Sequence, residues 1–148
     1  MEKKYQSGIS YLEAITVVAI ILILSAIATP VIASFLPHYR LKGGGQELIA
    51  ALRDAQNLAT TTQNFHLIRL NANDNSYSLI RKIDGSETTI KTTTLPTNVY
   101  FSQINLTNNQ VGFSSSGSPE MPGTIIIRNT KNETITIEIT TSGQIKSY

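Results

Sequence analysis

The stretch Ala14–Pro37, AITVVAIILILSAIATPVIASFLP, decides how the rest of the chain is read. It contains no charged residue. Its length passes the roughly 20 residues that an α-helix needs to cross a bilayer. In lipid a backbone must satisfy its own N–H and C=O groups, so a helix is the expected conformation. Pro30 removes one backbone donor and is expected to bend that helix. Lys3 and Lys4 precede the run, and Arg40 and Lys42 follow it. Positive charge on both sides does not choose an inside end.

Outward from this run the composition changes. The chain has 148 residues, enough for one domain and an accessory segment. Apolar residues make up 41%, a large share of them in this run, and the remainder is rich in Ser, Thr and Asn. Net charge is +2, without the basic excess by which phosphate-neutralising proteins gain affinity. There is no Cys, which excludes disulfide frameworks, thiolate metal sites and Cys nucleophiles.

Three readings of the run are open. It can be a plain single-span anchor. It can be a secretory signal peptide, since Ala26-Ile27-Ala28 has the small-x-small form of a cleavage site. A third reading depends on the residues just before it, SGISYLE at Ser7–Glu13.

Gly8-Ile9-Ser10-Tyr11-Leu12-Glu13 resembles the processing site of type IV prepilins and type II secretion pseudopilins. The resemblance implies a basic leader, MEKKYQSG, removed by a prepilin peptidase between Gly8 and Ile9 on the cytoplasmic side. It also implies N-methylation of Ile9. The family more often has Phe or Met after the cut, and Ile9 departs from that. Pro30 falls where many pilins carry a helix-bending proline. After such a cut Ile9 carries a free ammonium. Ile9 and Glu13 are four apart and share one face of a helix. Glu13 also lies in the first turn, where the helix dipole favours a carboxylate. A carboxylate among apolar helices is costly unless paired, and the new amine of its own or a neighbouring chain supplies the partner.

Beyond Pro37, His38–Lys42 is amphipathic and marks the membrane exit. Gly43-Gly44-Gly45 is expected to break or loosen the helix as a linker, or to act as a hinge, because each Gly costs a helix about 1 kcal/mol relative to Ala. Gln46–Thr61 is helical by pattern, with Leu48, Leu52, Ala55 and Ala59 on one face. From Phe65 the signals are for strands. Asp84-Gly85 is a hairpin signal, and Ile135, Ile137 and Ile139 alternate with Thr134, Thr136 and Glu138. The domains expected are a leader over 1–8, an apolar assembly helix over 9–36, an exit, linker and amphipathic helix over 37–63, and a β domain over 64–148. The fold class is α+β: a long N-terminal transmembrane helix packed on an antiparallel β-sheet or sandwich domain.

That order resembles the GspH/FimT group of minor pilins and pseudopilins. ELIAALRDAQNLATTTQNFHLIRL, LPTNVYF, VGFSSSGSP, GTIIIRN and ETITIEITTSGQIKSY follow in the group's order. The resemblance implies a subunit that initiates or caps a filament. Its partners would be other pilins or pseudopilins, the prepilin peptidase and an inner-membrane assembly platform. It implies a single-pass protein of the inner membrane with its C-terminal domain outside the cytoplasm. Some members bind DNA through a basic Gly-Arg-x-Arg tail. Here the stretch is Gly143-Gln144-Ile145-Lys146, so only Lys146 remains, which argues against nucleic-acid binding.

Nothing points to catalysis, a metal or a cofactor. His38 and His66 are 28 residues apart and belong to no ligand motif. Ser114–Ser118 lacks the Gly-x-Ser-x-Gly form, and Asn73-Asp74-Asn75 lacks the Gly and terminal Glu of a calcium loop. Asn105-Leu106-Thr107 and Asn132-Glu133-Thr134 match the glycosylation triplet, which occurs by chance in an Asn/Thr-rich chain.

Overall fold

A computed structural model describes residues 10–148. Helix α1 spans Tyr11–Thr62 and is followed by eight strands. The chain divides into two compact units, Met1–Leu36 and Pro37–Tyr148. In the first unit α1 begins after Ser10, whose carbonyl accepts from the Ala14 N–H at 3.0 Å. Pro30 lies inside α1.

The second unit holds the core. Strands β1 (Phe65–Asn71), β2 (Ser76–Ile83), β3 (Ser86–Thr94) and β5 (Gln110–Phe113) form one sheet in the order β3-β2-β1-β5. Strands β4 (Val99–Asn105), β6 (Gly123–Asn129), β7 (Thr134–Ile139) and β8 (Ile145–Ser147) form the other, in the order β4-β6-β7-β8. Every pairing is antiparallel. The helix–strand order and the antiparallel α+β class therefore agree with the sequence.

Leu48, Leu52, Ala55 and Ala59 are fully buried, so the stripe drawn from helical spacing is the face that packs. They meet Ile68 and Phe113 of one sheet and Ile125, Ile127, Ile137 and Ile139 of the other in a single core. Turns fall where left-handed residues permit them. The β2–β3 hairpin turns at Asp84 and Gly85, with φ of 48° and 81°. Both central residues at positive φ are what a tight two-residue hairpin requires.

Gly43-Gly44-Gly45 does not end the helix, contrary to the sequence expectation: all three lie inside α1. The reason is close approach. A Cβ on Gly44 would meet the Pro96 ring at 2.9 Å, and one on Gly45 would meet Ile135 at 3.2 Å. Burial against the sheets thus offsets the intrinsic cost of glycine in a helix. Gly43 is exposed and a Cβ there meets nothing within 4 Å. Gly43→Ala is therefore expected to stabilise the second unit by about 0.5–1 kcal/mol. Gly44→Val is expected to destabilise it by about 1–3 kcal/mol through overpacking. Thermal unfolding of the two variants checks the opposite signs; a shift in the same direction for both would contradict this packing.

Candidate functional site

In the first unit the apolar residues of α1 from Tyr11 to Leu36 are all exposed. Leu22, Ile23, Leu24, Ile27 and Ile32 each leave more than half of their surface uncovered. A helix apolar all round is the pattern of a lipid-embedded or helix-packed segment. Three of its hydroxyls bond to its own backbone. Thr16 Oγ1 donates to the Leu12 carbonyl at 2.7 Å, Thr29 Oγ1 to Ser25 at 2.8 Å, and Ser34 Oγ to Val31 at 2.7 Å. Such bonds satisfy groups that hydrocarbon cannot.

Glu13 is the acidic residue of the first turn of α1 and is exposed. Gly8 and Ile9 lie outside the described residues, so the expected charge pair between Ile9 and Glu13 has one member there.

In the second unit, clefts flank α1 on both sides. On the β7–β8 side a cleft of about 440 Å³ has Leu41, Ile49 and Ile135 in its walls and His38 and Glu133 among its polar residues. His38 Nδ1 and Glu133 Oε2 are 3.4 Å apart, and their side chains are 57% and 43% exposed. A pair of that exposure contributes about 0–1 kcal/mol. Further along the same side, Lys146 lines a polar cleft with Arg53, Gln56 and Asn57. The tail lysine singled out from sequence is thus brought beside a helix arginine that sequence reading had not connected with it. Gln56 Nε2 donates to the carbonyls of Gly117 at 2.7 Å and Gly143 at 3.2 Å, which ties two loops to the helix.

On the β2–β3 side a smaller cleft, about 100 Å³, is lined by Glu47, Asp54, Tyr77, Lys91 and Thr93. Tyr77 is 3% exposed and its hydroxyl is buried without a hydrogen bond of good geometry. Burial, helped by the Glu47 carboxylate, pushes its pKa up to about 12; the nearby Thr93 hydroxyl pulls weakly the other way. The phenol is therefore held neutral and sealed from solvent beside the cleft.

The remaining sequence candidates have structural roles in the turns and strands. Asn71 donates to Asp74 at 2.6 Å and accepts from the Asn73 N–H at 3.0 Å, so Asn71–Asn75 is a closed turn. Ser114 and Ser116 bond each other at 2.8 Å. Among the described residues no three His, Asp or Glu side chains gather as metal ligands. Sequence reading missed the Arg69 clamp. Its guanidinium holds both Glu87 oxygens, at 3.0 and 2.9 Å, and Gln110 Oε1 at 3.1 Å, linking β3, β1 and β5 across the sheet. No local pattern signals it, because the three residues lie on strands distant in sequence.

No protein-family model matches the sequence, and no curated protein matches it. Solved structures do. The minor pseudopilin EpsH from the Type 2 Secretion System of Vibrio cholerae aligns with a TM-score of 0.63 at 15% identity, over 74% of this chain and 96% of that one. The type IV minor pilin FimU of Pseudomonas aeruginosa aligns with a TM-score of 0.63 at 15% identity, over 77% of this chain and 92% of that one. The chain has a pilin-like fold. The likeness agrees with the GspH/FimT resemblance carried by the sequence. Helix α1 is long and apolar enough at its N-terminal end to cross a membrane, by length and composition.

Proposed function

We propose that this chain is a minor subunit of a pilin-like filament, either a type II secretion pseudopilus or a type IV pilus, and that it initiates or caps that filament. The prepilin peptidase cuts it between Gly8 and Ile9, and Ile9 is N-methylated. The assembly platform in the inner membrane then extracts it, with the β domain outside the cytoplasm. Its work is mechanical and recognitional, and the energy comes from an ATPase elsewhere in the machine.

One observation carries this reading. A helix segment apolar on all faces continues in sequence into a domain with the fold of a minor pseudopilin and a minor pilin. An apolar segment without charge is stable in lipid or against other apolar helices, but not in water. A subunit that leaves the membrane must exchange the first environment for the second. The Glu13 carboxylate then needs a cation, and the amine freed at Ile9 is the nearest in sequence.

The test is fractionation of cells that make the whole assembly machine. Surface filaments are sheared off, and the chain is traced by immunoblot. It is expected in the membrane before assembly and in the sheared filament fraction after it. Recovery only as a free soluble protein would contradict the proposal.

A further inference from the structure

The cleft of about 440 Å³ between α1 and the β7–β8 edge is built from two rows of α1, each at i, i+4 and i+8. Leu41, Gly45 and Ile49 form an apolar row, and His38, Lys42 and Gln46 form a polar row along its rim. Ile135 of β7 is the facing apolar wall. Ile49 and Ile135 are only half-buried, unlike Leu48 and Ile137 beside them. The cleft therefore keeps apolar surface in contact with water, which is unfavourable. Its volume falls in the range of about 300–1,000 Å³ of small-molecule sites, which share this make-up of apolar walls and a few polar groups.

The place of the cleft in the chain says what reaches it. His38 is the first residue after the uncharged run Ala14–Pro37. At 1.5 Å per residue Lys42 lies about 8 Å along α1 from Pro37, which is about the depth of a headgroup layer. While the run is in hydrocarbon, this rim is at the level of lipid phosphates. Glu133 is the carboxylate at the rim, and His38 Nδ1 faces it at 3.4 Å. Lys42 is exposed and forms no ion pair among the described residues. From Ala14 to Gln46 the sequence holds no carboxylate, so this part of α1 offers it none. Apolar walls beside an unpaired ammonium suit an amphiphile with an anionic head. A soluble anion would leave the walls wet, and an uncharged helix would leave the ammonium unanswered.

We propose that this cleft holds one acyl chain of an anionic phospholipid, with the lipid phosphate on Lys42. The acyl chain lies along Leu41, Gly45 and Ile49, against Ile135. An acyl chain moved from hydrocarbon into an apolar cleft stays out of water. It also removes Ile49 and Ile135 from water, so the exchange favours the cleft. Basic pockets beside membrane spans hold lipid headgroups by the same charge attraction. The inference rests on the membrane stage of the filament reading and deepens it by naming a ligand of the waiting subunit. That lipid returns to the bilayer when the subunit is extracted.

The test uses the whole chain reconstituted in phosphatidylcholine vesicles. The vesicles are doped with a phosphatidylglycerol or a phosphatidylcholine that carries a diazirine at the end of one acyl chain. After illumination, labelled peptides are identified by mass spectrometry. The phosphatidylglycerol probe is expected to label the peptide that contains Ile135, far in sequence from the apolar run. The phosphatidylcholine probe should label it at least about fivefold less, the equivalent of about 1 kcal/mol. Lys42→Glu should abolish that preference. Thr134→Trp, a bulky side chain at an exposed rim position, should block the label from both probes. Circular dichroism melts check that both variants are folded. Label confined to the apolar run would overturn the proposal. So would equal label from the two probes, or label at Ile135 that neither variant changes. The vesicles hold no other subunit, so the filament reading is judged separately. A chain labelled at Ile135 that never enters sheared filaments keeps the lipid site and loses the filament. A chain labelled only in the apolar run that still enters filaments loses the lipid site alone.

Discussion

Glu13→Ala is expected to leave membrane insertion and removal of the leader unchanged, while incorporation into filaments falls at least about tenfold. The variant loses a carboxylate in the first turn of α1, where it is exposed and carries no fold of its own. Stability of the second unit is therefore unaffected. What disappears is the partner for the Ile9 ammonium when apolar helices leave lipid and pack together. An ammonium left alone there costs several kcal/mol, and about 1.4 kcal/mol already corresponds to tenfold. Glu13→Asp, with a shorter reach, is expected to lose less. Quantitative immunoblots of membrane and sheared fractions check both. Filament incorporation of Glu13→Ala at the normal level would remove the pairing.

Phe113→Ala is expected to have the largest effect on stability. Phe113 lies on β5, is fully buried, and belongs to the core formed by α1 and both sheets. Deleting a buried phenyl ring costs about 3–5 kcal/mol in lost transfer energy and residual cavity. Against a total of roughly 5–15 kcal/mol for a domain, that is a large fraction. The unfolding midpoint should drop by roughly 10–25 °C. Tyr148→Ala, at a residue 72% exposed, is expected to stay within about 0.5 kcal/mol of the parent. Circular dichroism melts of both variants in one detergent decide it. Equal midpoints would mean that the two sheets do not share this core.

Much of the architecture was legible because it is written in local periods. The 3.6-residue spacing of Leu48, Leu52, Ala55 and Ala59 names the packed face of α1. Alternation in β7 identifies Ile137 and Ile139 as inward residues, and both are buried. Asp84-Gly85 marks its hairpin because few residues accept positive φ. The partition into two sheets was not legible. β5 pairs with β1, and β4 with β6, across intervening strands, and such pairing depends on contacts between distant residues. The glycine run was misread for the same reason. Propensity counts what each glycine costs the helix, whereas Pro96 and Ile135 arrive from far along the chain to use the space it leaves. The small cleft was equally hidden, since nothing in the sequence near Tyr77 says that its hydroxyl is buried beside Glu47 and Asp54.

Of the residues proposed for assembly, Glu13 and Pro30 lie in α1, whereas Gly8 and Ile9 fall outside the described residues. Their roles rest on the prepilin-like motif and on the chemistry of an amine beside a carboxylate, so the chain end itself is the decisive place to look. Mass spectrometry of the N-terminal peptide, taken from protein purified out of cells that carry the whole machine, reads it directly. The predicted result is a peptide beginning at Ile9 and heavier by one methyl group. A mature chain that keeps Met1–Gly8, or one that begins at Thr29, would contradict it.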